Sequence, residues 1–316
     1  MTTPWRVATR RSTLAVAQAG QIADALARAT GRPAELVPMA TSGDESPDRA
    51  IASFDSKGVF VDRTREAVLS GDCHFVVHSY KDLPTAESPG LVIGAVPLRA
   101  DPRDLLVTRE GHTLASIPRT HPFSVGTSSQ RRRAQLSKHR RDLLVQPLRG
   151  NLDTRLGKVA DGTLDAVIVA MAGVQRLGPV KHAVKAVPLE PGEMLSAPAQ
   201  GALALECRAD DEVTLAGLAL IDDRETRICV DAERYFLAAL SGGCTAPIGA
   251  LARVSEGTID AGRIELLGMV ADPNGMRLLR ASHESAPHAV ENLGRTLAAT
   301  LLGQGADKIL AALERD

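Results

Sequence analysis

The sequence predicts an α/β protein: two α/β domains followed by a smaller α+β domain. Three observations predict it. Short apolar runs of strand length alternate with stretches of helical periodicity through the first two-thirds of the chain. Polar turns carry several of those strands directly into helices, which is half of a βαβ unit. In the last third, three strand-like runs separated by Gly- or Asn-bearing turns lie between helical stretches.

Trp5 to Thr9 reads as a strand that runs into Arg10-Arg11-Ser12. Leu14, Val16, Ala17, Ile22, Ala25 and Leu26 then recur at helical spacing through Thr30, and Gly31 stops the helix. Glu35 to Met39 is the next strand. Residues 41–58 are polar, rich in Ser, Asp and Gly and without a period, so a lid or a disordered segment is expected there. Lys57-Gly58 near its end is a candidate point of contact with a ligand. A helix from about Asp62 to Leu69 precedes Phe75-Val76-Val77, read as a buried parallel strand. That strand ends in His78-Ser79-Tyr80-Lys81-Asp82-Leu83-Pro84. Open α/β sheets place ligands at the carboxyl ends of parallel strands, which singles out Lys81 and Asp82. The plainer alternative is an exposed ion pair between the two, worth little energetically. His74 and His78 are read as structural.

Asp101-Pro102-Arg103-Asp104 has the look of a hinge or linker before a strand at Leu105 to Thr108. Phe123-Ser124-Val125 is another strand, and Gly126-Thr127-Ser128-Ser129 turns from it into a helix starting near Gln130. Small hydroxyl residues cap such a helix, and the same geometry binds anions. Arg131-Arg132-Arg133 follows at once, although positive charge at a helix N-terminus opposes the helix dipole. A broken local rule of this kind marks candidate functional residues. Leu143 to Val145 leads to Arg149-Gly150-Asn151 and Arg155; Leu164 to Ala170 leads to Gly173 and Arg176. Arg131, Arg132, Arg149, Arg155 and Arg176 thus all fall near strand-to-helix junctions, which share one edge in a doubly wound sheet. Guanidinium groups gathered there suit a ligand carrying several carboxylates or phosphates. A solvated basic helix face is the alternative, and it fits Lys138, His139, Arg140 and Arg141 better. No phosphate-cradling P-loop or dinucleotide fingerprint is present.

Ala197-Pro198-Ala199-Gln200-Gly201 leads into a strand at Ala202 to Glu206 that could return to the first sheet. A helix from Asp223 to Leu240 delivers the chain to Gly242-Gly243-Cys244. The glycines and Pro247 forbid regular structure there, so the thiol sits on a turn. Taken alone, a loop cysteine is an unremarkable small residue. Strands at Ile248 to Arg253, Ile264 to Ala271 and Leu278 to Ala281 follow, and an amphipathic helical region closes the chain from about Ala289 to Leu313.

Composition narrows the function classes. With 37 basic against 38 acidic residues in 316, no global positive field exists to hold a nucleic acid, and 3% aromatic content argues against base-stacking platforms. A cationic site must come from local clustering. The four cysteines, Cys73, Cys207, Cys229 and Cys244, are far apart, which suits neither a disulfide framework nor a zinc site. The N-terminal residues open into a strand, and no apolar run approaches membrane-spanning length. A reduced, cytoplasmic monomer is expected, with a small-molecule substrate and no metal, nucleic acid or membrane partner.

With these pieces in order, the chain closely resembles the porphobilinogen deaminase (hydroxymethylbilane synthase) family over essentially its whole length. The resemblance rests on Arg6-Val7-Ala8-Thr9-Arg10, His78 to Pro84, Asp101 to Asp104, Val125 to Ser129 with Arg131-Arg132, Leu148 to Asn151 with Thr154-Arg155, and Gly242-Gly243-Cys244 with Pro247-Ile248-Gly249. It implies two periplasmic-binding-protein-like α/β domains with a cleft between them, plus a C-terminal α+β domain. The expected boundaries are residues 1–98 with 197–216, residues 99–196, and residues 217–316. It also implies a dipyrromethane cofactor bound covalently through Cys244. Onto it four porphobilinogen units are condensed with loss of ammonia, and hydrolysis releases the linear tetrapyrrole. Asp82 maps to the catalytic carboxylate. Ser12, Lys81, Thr127, Ser128, Ser129, Arg131, Arg132, Arg155 and Gly173 map to cofactor contacts. Arg10, Arg149, Arg155 and Arg176 map to substrate contacts, and Lys57 to the lid. The chain departs from the family's frequent residues at Ser42, Asp55-Ser56 and Asp62-Arg63-Thr64-Arg65. The competing readings are a non-catalytic anion-binding protein on the same two-lobed fold, and a nucleic-acid protein using Arg131 to Arg141.

Overall fold

A computed structural model describes residues 3–40, 62–241 and 246–313. The expected lid with Lys57, and the turn with Cys244, lie outside the described residues. In chain order the elements are β1 (Trp5–Arg10), α1 (Thr13–Thr30), β2 (Ala34–Met39), α2 (Asp62–Leu69), β3 (Phe75–Ser79), β4 (Leu91–Ala95), β5 (Asp104–Thr108), β6 (Phe123–Gly126), α3 (Gln130–His139), β7 (Leu143–Gln146), α4 (Leu152–Ala160), β8 (Ala166–Ala170), α5 (Met171–Leu177) and β9 (Lys185–Leu189). They continue with β10 (Leu203–Arg208), α6 (Glu212–Ala219), α7 (Arg224–Ala239), β11 (Ile248–Glu256), β12 (Arg263–Ala271), β13 (Leu278–Ser285), α8 (Val290–Gly303) and α9 (Ala306–Leu313). The fold class is the expected one: two sheet-and-helix domains and a small C-terminal sheet with helices.

The first sheet has the order β2-β1-β3-β10-β4. Strands β1, β2 and β3 are parallel, so Arg10, Met39 and Ser79 end at one edge. The strand expected to return to this sheet does so, as β10, but antiparallel to both β3 and β4. The sheet is therefore mixed, because the chain re-enters it from the opposite end. Helix α1 stops where expected: Gly31 takes the left-handed φ of +67°, which a side chain disfavours, and its amide bonds back to Ala27. Trp5, Val7, Leu26, Phe75, Leu205 and Leu218 fill the core on the α1 face. Ala8, Ala67, Val68, Val76 and Leu91 form a second core under α2.

The second sheet, β7-β6-β8-β5-β9, is mixed too, with β5 antiparallel to β8 and β9. Asp104, expected in a hinge, is instead the first residue of β5 and fully buried. The two short strands that escaped the sequence reading, β4 and β9, are both edge strands. Pro188 breaks the strand signal of β9, where an edge position tolerates proline, and Gly94 weakens that of β4. The third sheet is the antiparallel β11-β12-β13. Phe236, Ile264, Leu266, Leu297 and Leu301 close its core against α7 and α8.

By compactness the chain forms two units, Met1–Arg99 with Ala202–Arg227, and Ala100–Gly201 with Ile228–Asp316. The C-terminal sheet thus groups with the second α/β domain. There Met269 and Ala271 of β12 pack with Ala134 of α3 and with Leu195.

Candidate functional site

In the first unit the parallel strands bring Arg10, Ser12, Lys81 and Asp82 to one sheet edge. Arg10 ends β1, and Arg11 donates its amide to Met39 O at 3.1 Å. Ser12 is the N-cap of α1, its Oγ accepting from Ala15 N at 3.3 Å. Beyond β3 the chain makes one 3-10 turn, Tyr80–Asp82, closed by Leu83 N donating to Tyr80 O at 3.2 Å. Tyr80 is buried and its amide bonds Ala202 O at 3.1 Å, so the turn is anchored at its start. Asp82, at its far end, is exposed. The two histidines have structural partners, as expected: His74 Nδ1 accepts Arg6 N at 2.9 Å, and His78 Nε2 is 3.2 Å from Glu206 Oε2.

In the second unit β6, β7 and β8 are parallel, so the turns after them share an edge. Asp104 pairs with Ala170 at the end of β8 and therefore sits at that same edge. Ser129 caps α3, its Oγ accepting from Arg132 N at 3.4 Å. Thr127 Oγ1 accepts Ser129 N at 3.2 Å. Ser128 Oγ donates to Leu148 O at 2.8 Å and accepts Leu148 N at 2.9 Å, tying the turn after β6 to the one after β7. That second turn needs Gly150: its φ is +108°, and a Cβ there would stand 2.9 Å from the Thr154 methyl. Asn151 caps α4, and Arg155 Nε donates to Gly150 O at 2.8 Å.

The arginines divide into two kinds. Arg131 and Arg132, at the start of α3, are buried and held internally. Arg131 donates to Asp104 Oδ2 at 2.8 Å and to Leu195 O at 2.5 Å. Arg132 donates to Asp104 Oδ1 at 2.7 Å and to Ile168 O at 2.9 Å. Gln200 Nε2 adds a bond of 2.8 Å to the same Asp104 oxygen. Burial alone would raise the Asp104 carboxyl, but the charges of Arg131 and Arg132 outweigh it and hold the carboxyl far below its usual range. This explains how α3 tolerates cations in its first turn. Arg149 is exposed, Arg155 and Arg176 are half-buried, and Gly173 lies in the short helix α5 that bears Arg176. Arg176 donates to Gly201 O at 2.6 Å, and burial lowers its guanidinium to about 10. Burial, and then the charge of Arg132, lower that of Arg155.

Two features ask for an anion. Arg132 Nε is buried with no hydrogen-bond partner, and the neighbouring Arg155 spends only its Nε on a protein acceptor among the described residues. Desolvated guanidinium groups that repel one another are stabilised by a bound carboxylate. The donor set therefore fits a small polycarboxylate. Asp104 and Gln200 are site residues the sequence reading missed; the only signal was the Asp101 to Asp104 motif, taken there as a linker. Among the described residues no cluster of His, Cys, Asp and Glu could hold a metal ion. No described helix is long and apolar enough to cross a membrane.

Comparison with known proteins gives a consistent result. Residues 5–216 match the family model described as "Porphobilinogen deaminase, dipyromethane cofactor binding domain", and residues 227–303 match "Porphobilinogen deaminase, C-terminal domain". A porphobilinogen deaminase from Nocardia farcinica is 50% identical over 312 residues, covering 98% of this chain and 88% of the relative. One from Mycolicibacterium paratuberculosis is 48% identical over 316 residues, covering 98% of each. Among solved structures, an ancestral cationic amino acid solute binding protein aligns with a TM-score of 0.42 and 14% identity, over 73% of this chain and 93% of that one. That score is too low to carry a conclusion.

Proposed function

The chain belongs to the porphobilinogen deaminase family, a family of transferases in tetrapyrrole synthesis, and on that premise we propose the reaction it performs. It condenses four porphobilinogen molecules head to tail, with release of ammonia, into the linear tetrapyrrole hydroxymethylbilane. The observation that carries this reading is the arginine edge of the second sheet, with a buried, unpartnered donor on Arg132 beside Arg155. Each pyrrole of such a substrate bears an acetate and a propionate, so every addition brings two more carboxylates. A protein of net charge −1 can grip them only through a local cluster of this kind.

A dipyrromethane held by a thioether to Cys244 would supply the free pyrrole position at which the chain is extended. Ser12, Lys81, Thr127, Ser128, Ser129, Arg131, Arg132, Arg155 and Gly173 would hold its side-chain carboxylates. In that set the serines order backbone and the arginines supply charge, since Ser12, Ser128 and Ser129 already cap helices or tie turns. Arg10, Arg149, Arg155 and Arg176 would grip the incoming porphobilinogen. Asp82 would act on the reacting atoms. Departure of ammonia leaves positive charge on the methylene-pyrrole of the substrate, which an exposed, anchored carboxylate stabilises, and the same group can take the pyrrole proton. We place the protein in the cytoplasm, as a monomer acting without nucleic acid.

The test is the intact mass of the purified protein beside Cys244→Ser. The expected result is extra mass equal to two porphobilinogen units less two ammonias, absent from the variant. An unmodified wild-type chain whose mass does not change on adding porphobilinogen would overturn the reading in favour of a binding protein.

A further inference from the structure

Arg65 of α2, Glu206 of β10 and His78 of β3 form an ionic cluster on the face of the first sheet that α2 covers. Arg65 donates from Nε to Glu206 Oε2 at 2.7 Å and from its terminal nitrogen to Oε1 at 2.8 Å, a bidentate fork. His78 Nε2 stands 3.2 Å from the same Oε2. Glu206 is only 3% exposed. Burial by itself would raise its carboxyl, and the hydrogen bonds from His78 and Arg65 more than offset that, so it lies below its ordinary value.

Strand alternation locates the cluster. Val76 belongs to the apolar core under α2, and His78, two residues further along β3, faces the same side. In the antiparallel pair of β10 with β3, Glu206 lies opposite Val76 and Ala204 opposite His78. The ionic group therefore tops the apolar core at the end of β3 from which Tyr80-Lys81-Asp82 departs. On the other face Ser79 Oγ is 3.2 Å from both amide atoms of Gln18 in α1. The last two residues of the strand are thus fixed from opposite sides, one by a neutral pair and one by charges.

Stability does not require the charged tie. Replacing a buried ion pair with apolar side chains of similar volume is often neutral or stabilising. What the fork adds is direction, because two parallel bonds set the plane of the Glu206 carboxylate and with it the His78 ring.

We propose that Arg65, Glu206 and His78 are positioning residues for the reaction, holding the end of β3 so that the Lys81–Asp82 turn meets the substrate in one orientation. The proposal rests on Asp82 as the reacting carboxylate. The experiment compares steady-state porphobilinogen turnover by the holoenzymes of wild type, Asp82→Asn, Glu206→Gln, Arg65→Met and the double variant Arg65→Met/Glu206→Leu. In the three cluster variants kcat should fall roughly tenfold, within the range that small misplacements of a reacting group cost, while KM stays near that of the wild type. The double variant, with neither charge left buried, should melt at or above the wild-type temperature and still show the low kcat. Recovery of kcat together with stability in the double variant would make the cluster merely structural and overturn the proposal. Cluster variants with a raised KM and an unchanged kcat would overturn it too. Equal activity of wild type and Asp82→Asn would overturn the parent reading, and this one with it.

Discussion

At the edge of the first sheet an exposed carboxylate, Asp82, stands on a short turn in company with Lys81, while at the edge of the second a fully buried carboxylate, Asp104, is enclosed by Arg131, Arg132 and Gln200. The same functional group does opposite work in the two places. Asp82 is exposed, and on the proposed reading it meets the substrate. Asp104 is locked in its charged form and serves the arginines, offsetting the desolvation of two guanidinium groups so that they can stand at a helix start. The comparison also sorts the cations. Arg131 and Arg132 are braced from behind, whereas among the described residues Arg155 and Arg176 donate only to backbone carbonyls and Arg149 to no protein acceptor. Arg132 stands on the boundary, since its terminal nitrogens are spent on Asp104 and Ile168 O while its Nε has no protein partner.

Four substitutions probe that division. Asp82→Asn should have the largest effect, lowering kcat by about 10² to 10⁴, the usual contribution of a positioned acid or base. Its circular dichroism and melting curve should match the wild type because the side chain is exposed; a matching loss of fold would erase the contrast with Asp104.

Asp104→Asn should cost about 3–5 kcal/mol, since it leaves two buried guanidinium groups without their counter-charge. Denaturant unfolding of the two proteins measures it. The pH dependence follows from the depressed carboxyl of Asp104. Because its folded value lies below that of the unfolded chain, its stabilisation is complete above about pH 3.9 and is lost as the pH falls from there through the folded value. Acid titration of the wild type should show that loss, and Asp104→Asn should lack it.

Arg155→Ala sharpens the comparison from the gripping side. Loss of a charged hydrogen bond costs about 1.5–3 kcal/mol, so the affinity for porphobilinogen, or the fraction of protein carrying the added mass, should drop roughly ten- to hundredfold. The melting temperature should hold or rise, because the variant no longer desolvates a cation beside Arg132. A fall in stability comparable to that of Asp104→Asn would place Arg155 among the bracing residues instead. The smallest effect belongs to Ser128→Ala. It removes the two-way tie to Leu148, worth about 1 kcal/mol, and should shift the unfolding midpoint slightly while raising KM through the loosened Arg149-Gly150 turn.

Much of this was legible along the chain. Helix α1 with its Gly31 stop, the strands that run into Arg10 and Lys81, and the hydroxyl turn into α3 all follow from local patterns: apolar periodicity, hydroxyl caps and glycine stops. Those signals are local because they reflect backbone hydrogen bonding and side-chain alternation within a few residues. The crowding of arginines near strand-to-helix junctions was legible too, since parallel strands necessarily place their carboxyl ends together.

What the linear order could not decide is which charge meets which. Asp104 read as part of a linker, and its burial arises only when β5 pairs antiparallel with β8 and brings it to the arginine edge. Arg65 stood out merely as a departure from the family's usual residues; its partner Glu206 lies 141 positions away and is met only because β10 re-enters the first sheet. Desolvation and Coulomb attraction act through space and depend on burial, which a residue's neighbours in sequence do not fix. The sequence by itself thus determined the elements and the supply of charge at the sheet edges. Only the tertiary structure decided which guanidinium donors are spent on Asp104 and which, like Arg132 Nε, are buried without a protein partner.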